Sequence, residues 1–159
     1  MISNNFLVTA GTTGKSKSAL FSHKRFIGAG ITWSLHMELN INDKYLVVLP
    51  LFHGNAGVVA VSSIMLVGCT MVLREKFSAT NFLPDIRKHK CTAMIYIGEL
   101  WRYIYNQPAS PFDSQHELRV AAGNGLRSEI WEKVVTRFNI KRIVEHYGQT
   151  EMIAAHPMI

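Results

Sequence analysis

Residues 9–17 read T-A-G-T-T-G-K-S-K and combine the residue types that bind phosphate groups. Glycine lets the backbone turn tightly and approach a ligand closely. Loop N–H groups can then surround phosphate oxygens, while threonine hydroxyls and a lysine ammonium add donors and charge. Because the stretch follows an apolar run at residues 6–8, it is predicted to lie where a strand ends and a helix begins. These residues predict a polyphosphate site, with a flexible surface loop as the alternative.

A Walker-type P-loop, G-x-x-x-x-G-K-[ST], is a competing interpretation of this stretch. Gly14, Lys15 and Ser16 match its second half, but Thr9 stands where its first glycine is required. No apolar strand that ends in Asp follows to hold the magnesium ion of such a site. The P-loop is therefore the weaker of the two phosphate-binding interpretations.

A second informative stretch, Y-G-Q-T-E at residues 147–151, lies near the other end of the chain. Together the two stretches resemble the signatures of the adenylate-forming enzymes, whose usual forms are T-S-G-T-T-G-x-P-K and Y-G-x-T-E. Residues 74–79, 96–100, 102–103 and 123–127, with the runs Y-I-G-E-L and G-N-G-L-R, resemble the fatty acid transport protein branch of that family. Those proteins are also called very long-chain acyl-CoA synthetases, and the resemblance covers residues 6–151.

The resemblance implies ATP, Mg²⁺ and coenzyme A as ligands and a fatty acid as substrate. The residues that it implies for nucleotide binding are Thr9, Gly11, Thr12, Thr13, Gly14, Lys17, Gly123, Asn124, Gly125, Tyr147, Gly148 and Thr150. Lys17, Thr150 and Glu151 would act on the phosphates during catalysis, with Glu151 as a ligand of Mg²⁺. His53 would lie at the acyl carboxylate, and an acyl pocket would be lined by Tyr96, Gly98 and Leu100.

The same residue types have structural alternatives that need no ligand. A lone loop lysine is usually solvated, and a threonine followed by an acid is typical of a helix N-terminus. A strand-end tyrosine, a lone histidine among apolar residues and strand-end apolar residues commonly belong to the core. Glycines at positions 123 and 125 also suit a tight turn.

Strands and helices alternate along the chain, which predicts an α/β fold with a mostly parallel sheet and flanking helices. Strands are predicted at residues 6–8, 45–49, 70–73, 92–96, 118–121 and 142–146, and helices at residues 22–38, 57–67, 78–89, 99–106 and 128–138. Ser22 and Ser78 are the predicted N-caps. Ligands of such sheets bind at the carboxyl ends of the strands, where the candidate residues fall. The resemblance implies part of the large N-terminal domain of an adenylate-forming enzyme.

Composition is that of a folded globular chain, with 48% hydrophobic and 18% charged residues among 159. The net charge of +6 is spread along the chain, and no nucleic-acid recognition motif accompanies it. Nucleotide phosphates, coenzyme A and anionic lipid surfaces are the expected anionic partners, and no nucleic acid is expected. Cys69 and Cys91 are expected to be buried free thiols in a reducing compartment.

Residues 45–73 contain no Asp, Glu, Lys or Arg, which raises the question of a transmembrane helix. Pro50, several glycines and the Ser62-Ser63 pair interrupt this run, so we expect a strand, a loop, a buried helix and a buried strand instead. The N-terminus has no signal-peptide pattern. The resemblance implies an intracellular location with peripheral membrane association, at the endoplasmic reticulum, peroxisome or plasma membrane.

Two departures from the family pattern stand out, since Ala10 replaces the usual serine and Ser16 the usual proline. Family members run to several hundred residues. Residues 1–159 are therefore expected to be a single partial AMP-binding domain, without the N-terminal part, the ribose-binding aspartate and the C-terminal domain with its catalytic lysine. The intact family would activate long or very long-chain fatty acids as acyl-CoA through an acyl-adenylate, and these residues alone would form little or none. The alternatives are a non-catalytic nucleotide- or lipid-binding module, or a remnant with no folded product.

Overall fold

The computed structural model describes residues 4–9, 15, 17–148 and 157–158. Its strands are β1 (Asn4–Thr9), β2 (Lys17–Ser22), β3 (Lys44–Val47), β4 (Thr70–Leu73), β5 (Ala93–Ile97), β6 (Val120–Asn124), β7 (Arg142–His146) and β8 (Pro157–Met158). Its α-helices are α1 (His23–His36), α2 (Val61–Val67), α3 (Phe82–His89), α4 (Gly98–Tyr105) and α5 (Ser128–Phe138). A π-helical segment, Gly54–Ala60, runs directly into α2.

The main sheet has the strand order β4-β3-β5-β6-β7-β8. Its first five strands are parallel, and β8 pairs antiparallel with β7 at the edge. Strands β3, β5 and β6 are almost entirely buried, as expected of parallel strands covered by helices. On the helical layers, α1 packs against α2 and the π-helical segment, and α4 packs against α5. The predicted α/β class with a mostly parallel sheet is confirmed.

At the amino ends of the strands, an ion pair between half-buried Arg119 and buried Asp43 joins the sheet to the end of α1. Asp43, which is 3% exposed, accepts hydrogen bonds from Arg119 at 2.6 and 3.2 Å and from the Thr92 hydroxyl at 2.6 Å. Arg119 also donates to the backbone oxygens of Met37 and Glu38. Since these residues precede or begin β3, β5 and β6 or follow α1, one cluster joins four elements.

The phosphate-loop stretch connects two antiparallel strands, which corrects the predicted passage from strand to helix. Strands β1 and β2 form a separate two-stranded sheet, and its register pairs Thr9 with Lys17 at the ends of the stretch. Strand β2 was not predicted from the sequence. Helix α1 follows β2 and begins at His23, with the predicted Ser22 N-cap accepting the Arg25 N–H at 3.3 Å.

Three further predictions need correction. Strand β4 has the predicted bounds but lies at the sheet edge and is largely exposed, whereas a buried strand was expected. Helix α3 begins at Phe82 after Asn81, and the Ser78 hydroxyl accepts the Asn81 N–H instead of capping the helix directly. Strand β6 ends at Asn124, so Gly123 and Asn124 are strand residues and only Gly125 follows the strand.

The uncharged run at residues 45–73 folds as β3, a loop, the π-helical segment with α2, and β4. In the part of the chain that the structure describes, every helix is too short or too polar to cross a membrane. Cys69 and Cys91 are both buried free thiols, as predicted.

Candidate functional site

The carboxyl ends of four parallel strands bring most of the described candidate residues to one edge of the sheet. His53 lies in the loop after β3, and Gly98 directly follows β5. Gly125 follows β6, and Tyr147 follows β7. The predicted convergence on this edge is therefore confirmed for these residues. The convergence follows from the parallel pairing of β3, β5, β6 and β7, because parallel strands all end at the same edge of a sheet.

The phosphate-loop stretch is described only at its two ends and at Lys15. Thr9 and Lys17 lie opposite each other as the last pair in the register of β1 and β2. Gly11, Thr12, Thr13 and Gly14 lie outside the described residues. Thr150 and Glu151 lie outside them too, and the roles predicted for all these residues stay predictions.

Two asparagine side chains connect β6 to the π-helical segment. The Asn55 amide donates to Asn124 Oδ1 at 2.6 Å, and Asn55 is only 9% exposed. Asn55 was not among the predicted site residues. Its signal in the sequence is a lone amide at the start of a long apolar run, where a buried polar group needs a partner. The contact therefore holds the π-helical segment against the end of β6, and π-helical turns often occur at functional sites.

His53 is exposed and caps the π-helical segment. Its Nδ1 accepts the Asn55 N–H at 3.4 Å. The alternative that His53 is a core residue is therefore wrong, and its predicted position at an acyl carboxylate stays a prediction.

Gly98 and Gly125 bring two turns of the edge into backbone contact. A Cβ at position 98 would lie 1.6 Å from the Gly125 oxygen, so any side chain there would collide with backbone. Gly125 has a φ of +78°, which favours glycine. Both glycines therefore have a structural reason for their identity, whatever ligand binds beside them.

Tyr96, Gly123 and Glu145 lie side by side on β5, β6 and β7. The register pairs Tyr96 with Gly123 and Gly123 with Glu145. The Tyr96 hydroxyl donates to Glu145 Oε2 across the intervening glycine, and the Leu126 N–H donates to Glu145 Oε1 at 3.1 Å. Glu145 was not predicted, because its partner Tyr96 lies 49 residues away and no local pattern announces the contact.

Burial raises the pKa of Glu145 above its ordinary value. Hydrogen bonds from the Tyr96 hydroxyl and the Leu126 and Gly125 backbone oppose this rise without cancelling it. Burial also raises the pKa of Tyr96, and the neighbouring carboxyl raises it further. Within the part of the chain that the structure describes, the pair is thus a buried polar contact with no cation among its hydrogen-bond partners.

Of the predicted acyl-pocket residues, Tyr96 and Leu100 are buried in the hydrophobic core. Tyr96 is fully buried, and its ring packs edge-on against Trp101. These positions match the core alternative, and the pocket itself stays a prediction.

Tyr147 and Gly148 extend beyond β7 at the surface, and Tyr147 is 69% exposed. The core alternative for Tyr147 is therefore wrong. The preceding residue, His146, is buried with its ring centroid 4.5 Å from that of Trp33, and burial lowers the pKa of His146. His146 anchors the end of β7 in the core, whereas Tyr147 lies at the surface, where an exposed aromatic ring could stack on a flat ligand.

The described residues contain no group of three His, Cys, Asp or Glu side chains arranged to hold a metal ion. Glu151, the predicted ligand of Mg²⁺, lies outside them. Its magnesium site therefore stays a prediction.

Known proteins match this chain along nearly its whole length. The pattern of the AMP-binding enzyme family matches residues 5–159. The medium/long-chain-fatty-acid–CoA ligase FadD6 of Mycobacterium tuberculosis is 42% identical over 147 residues, which are 92% of this chain and 25% of that protein. Human long-chain fatty acid transport protein 1 is 38% identical over 146 residues, which are 92% of this chain and 23% of that protein.

Solved structures share the fold at lower identity. ATP-bound MatB from Rhodopseudomonas palustris superposes with a TM-score of 0.80 at 20% identity, covering 96% of this chain and 30% of that one. The O-succinylbenzoate coenzyme A synthetase MenE of Bacillus subtilis, in complex with AMP, gives a TM-score of 0.76 at 22% identity, covering 92% and 36%. The chain spans about a quarter of the length of the curated relatives named above. Its sequence match and its sheet together show that the chain belongs to the AMP-binding enzyme family.

Proposed function

We propose that this chain supplies the nucleotide-binding edge of an enzyme that activates long or very long-chain fatty acids as acyl-CoA thioesters. The observation that carries the proposal is the convergence of His53, Gly98, Gly125 and Tyr147, from four different strand ends, on one sheet edge. Family membership and the fatty acid ligases and transport proteins among its relatives support the choice of reaction.

In the proposed reaction a fatty acid carboxylate attacks the α-phosphate of ATP, which releases pyrophosphate and leaves an acyl-adenylate. The thiol of coenzyme A then displaces AMP and forms the thioester. Positive charge and N–H donors beside the phosphates would offset the charge that develops there. That is the role proposed for Thr9, Gly11, Thr12, Thr13, Gly14, Lys17 and Thr150.

Each described edge residue has a proposed part in binding. Tyr147, with its exposed ring, would stack on adenine beside Asn124, which ends β6, and Gly125, which follows it. His53, which is exposed, would lie at the fatty acid carboxylate, with Gly98 at the entrance to the acyl pocket. Glu151 offers a carboxylate oxygen, the donor that Mg²⁺ prefers, and the ion would supply positive charge at the phosphates.

Residues 1–159 would form one partial AMP-binding domain, and the further parts of the family's architecture lie outside this sequence. Peripheral association with an intracellular membrane is proposed from the transport proteins among the relatives. The alternative function is a non-catalytic module that binds nucleotide or lipid. Since the chain spans about a quarter of FadD6, we expect these residues alone to form little or no acyl-CoA.

Lysine substitutions at the phosphate-loop stretch test the nucleotide site. Lys17→Ala should weaken ATP–Mg²⁺ binding by about one to two orders of magnitude, because a hydrogen bond to a charged group contributes about 1.5–3 kcal/mol. Lys15→Ala, two residues away in the same stretch and at an exposed position, is the matched control and should change affinity little. Calorimetric titration of the three proteins measures the difference. Equal affinities of the two variants for ATP–Mg²⁺ would favour the alternative interpretation, in which the stretch is a surface loop without a phosphate site.

A further inference from the structure

Tyr96, Gly123 and Glu145 form a lateral row across three adjacent strands, close to the carboxyl edge of the sheet. A Cβ at Gly123 would lie 2.7 Å from two ring carbons of Tyr96 and 2.3 Å from its backbone oxygen. The tyrosine ring therefore occupies the space that a side chain on β6 would fill. Glycine at the middle position is what allows the Tyr96 hydroxyl to reach Glu145.

The row ends on the turn that follows β6. Glu145 accepts the Tyr96 hydroxyl with one oxygen and the Leu126 N–H with the other. Leu126 is 7% exposed, so its N–H would lack a partner without this carboxyl group. The peptide bond between Gly125 and Leu126 is therefore held on both sides. Its oxygen lies against Gly98, and its N–H donates to Glu145.

We propose that Tyr96 and Glu145 are positioning residues, which fix the backbone of Gly125 and Leu126 and so set nucleotide affinity without touching the nucleotide. The inference rests on the proposed function, because it takes the turn after β6 as one wall of the nucleotide site. A turn already held in its binding conformation loses less freedom when the ligand binds, and affinity rises accordingly.

The burial of Glu145 supports a positioning role. Among the described residues, Glu145 accepts hydrogen bonds only from the Tyr96 hydroxyl and from backbone N–H groups, and its burial raises the pKa of this carboxyl group. An apolar residue would avoid that cost at this place in the core. The carboxyl group, in contrast, accepts one hydrogen bond from Tyr96 on β5 and one from Leu126 after β6, and so joins the two.

Three variants on the row and one control separate positioning from general stability. Tyr96→Phe removes only the hydroxyl, Glu145→Ala removes both acceptors, and Glu145→Gln keeps an oxygen for the Leu126 N–H. Thr92→Val is the matched control. It removes a half-buried hydroxyl group that donates to Asp43, just before the same strand, β5, but at the opposite edge of the sheet. Two quantities are measured well below every variant's thermal midpoint: amide hydrogen exchange of Leu126 without ligand, and ATP–Mg²⁺ affinity by calorimetry.

Tyr96→Phe and Glu145→Ala should speed Leu126 exchange and weaken ATP–Mg²⁺ binding about tenfold, equivalent to 1.4 kcal/mol. Glu145→Gln should retain most of the Leu126 protection and the affinity. Thr92→Val should lower the thermal midpoint while leaving both quantities as in the wild type.

Unchanged Leu126 exchange in Tyr96→Phe and Glu145→Ala would overturn the inference, and so would an equal loss of affinity in Thr92→Val. Faster exchange with unchanged affinity would refute the link to the nucleotide and leave the proposed function standing. Failure of the wild-type chain to bind ATP–Mg²⁺ would refute both together.

Discussion

Asp43 and Glu145 are buried acids at opposite ends of the same sheet, and their pKa values move in opposite directions. Burial would raise both. At Asp43, hydrogen bonds from Arg119, Thr92 and Asn40, together with the charge of Arg119, outweigh burial and lower the pKa. At Glu145 the hydrogen-bond partners are a phenol and backbone amides, and burial prevails. The main difference between the two sites is the Arg119 guanidinium, which adds hydrogen bonds and positive charge beside Asp43.

Asp43→Asn should lower the free energy of unfolding at pH 7 by about 1.5–3 kcal/mol, the contribution of hydrogen bonds to a charged group. The folded-state pKa of Asp43 lies below its ordinary value of 3.8. Its contribution is therefore complete above that value and is lost as pH falls through the folded-state pKa. Urea denaturation of both proteins at pH 7 and in acid measures the effect. A difference that does not shrink in acid would contradict the role assigned to Asp43.

At the scale of elements, two glycines of α1 face different surroundings. A Cβ at Gly28 would meet nothing within 4 Å. A Cβ at Gly30 would lie 2.8 Å from the Ser62 backbone oxygen of α2. The close packing of α1 on α2 therefore depends on Gly30, whereas Gly28 only lowers the helix propensity of α1.

Gly28→Ala should raise the free energy of unfolding by about 0.5–1 kcal/mol, because alanine loses less backbone freedom in a helix. Gly30→Ala should lower it by about 1–3 kcal/mol through overpacking. Each serves as the control of the other, since the same atoms are added to the same helix. Denaturant titration checks both signs, and stabilisation by Gly30→Ala would show that α1 and α2 can separate without loss.

Elements with strong local patterns were predictable, and those fixed by distant partners were not. Helix α5 and strands β4 and β7 have the predicted bounds, because apolar periodicity and turn residues mark them. Strand β6 runs on to Gly123 and Asn124, residue types that disfavour strands, because β5 and β7 pair with it on both sides. Strand β2 was missed, since its mixed sequence K-S-A-L-F-S takes its form from pairing with β1.

Some residues of the candidate site could likewise be predicted from the sequence, and others could not. Residues in recognisable runs, such as Gly98, Gly125 and Tyr147, could be found in the sequence and placed at the carboxyl edge. Asn55 and Glu145 could not, since their partners lie 69 and 49 residues away. Contacts of that kind depend on the order of strands in the sheet, which local sequence does not encode.

On the scale of the whole molecule, α1 exposes an apolar stripe. Ile27, Ile31 and Leu35 recur every four residues on one helix face and are 53%, 46% and 69% exposed. Apolar stripes of this kind favour association with another apolar surface.

Leu35→Lys should therefore weaken self-association of the chain while changing the free energy of unfolding by no more than about 0.5 kcal/mol. Thr136→Lys adds the same charge at an exposed position on α5 and serves as the control. Sedimentation velocity at several protein concentrations measures the association. An equal effect of the two variants would assign the change to net charge and not to the stripe.

The Asp43 cluster has a consequence for the order in which the chain folds during synthesis. Asp43 leaves the ribosome long before two of its partners, since Thr92 follows 49 residues later and Arg119 76 residues later. Until Arg119 emerges, the growing chain holds a carboxylate that cannot be buried without loss. We therefore expect strands β3, β4 and β5 not to form a stable unit before Arg119 has been made. We expect the parallel sheet to become stable only after β6 has been made, which would place its folding late in translation.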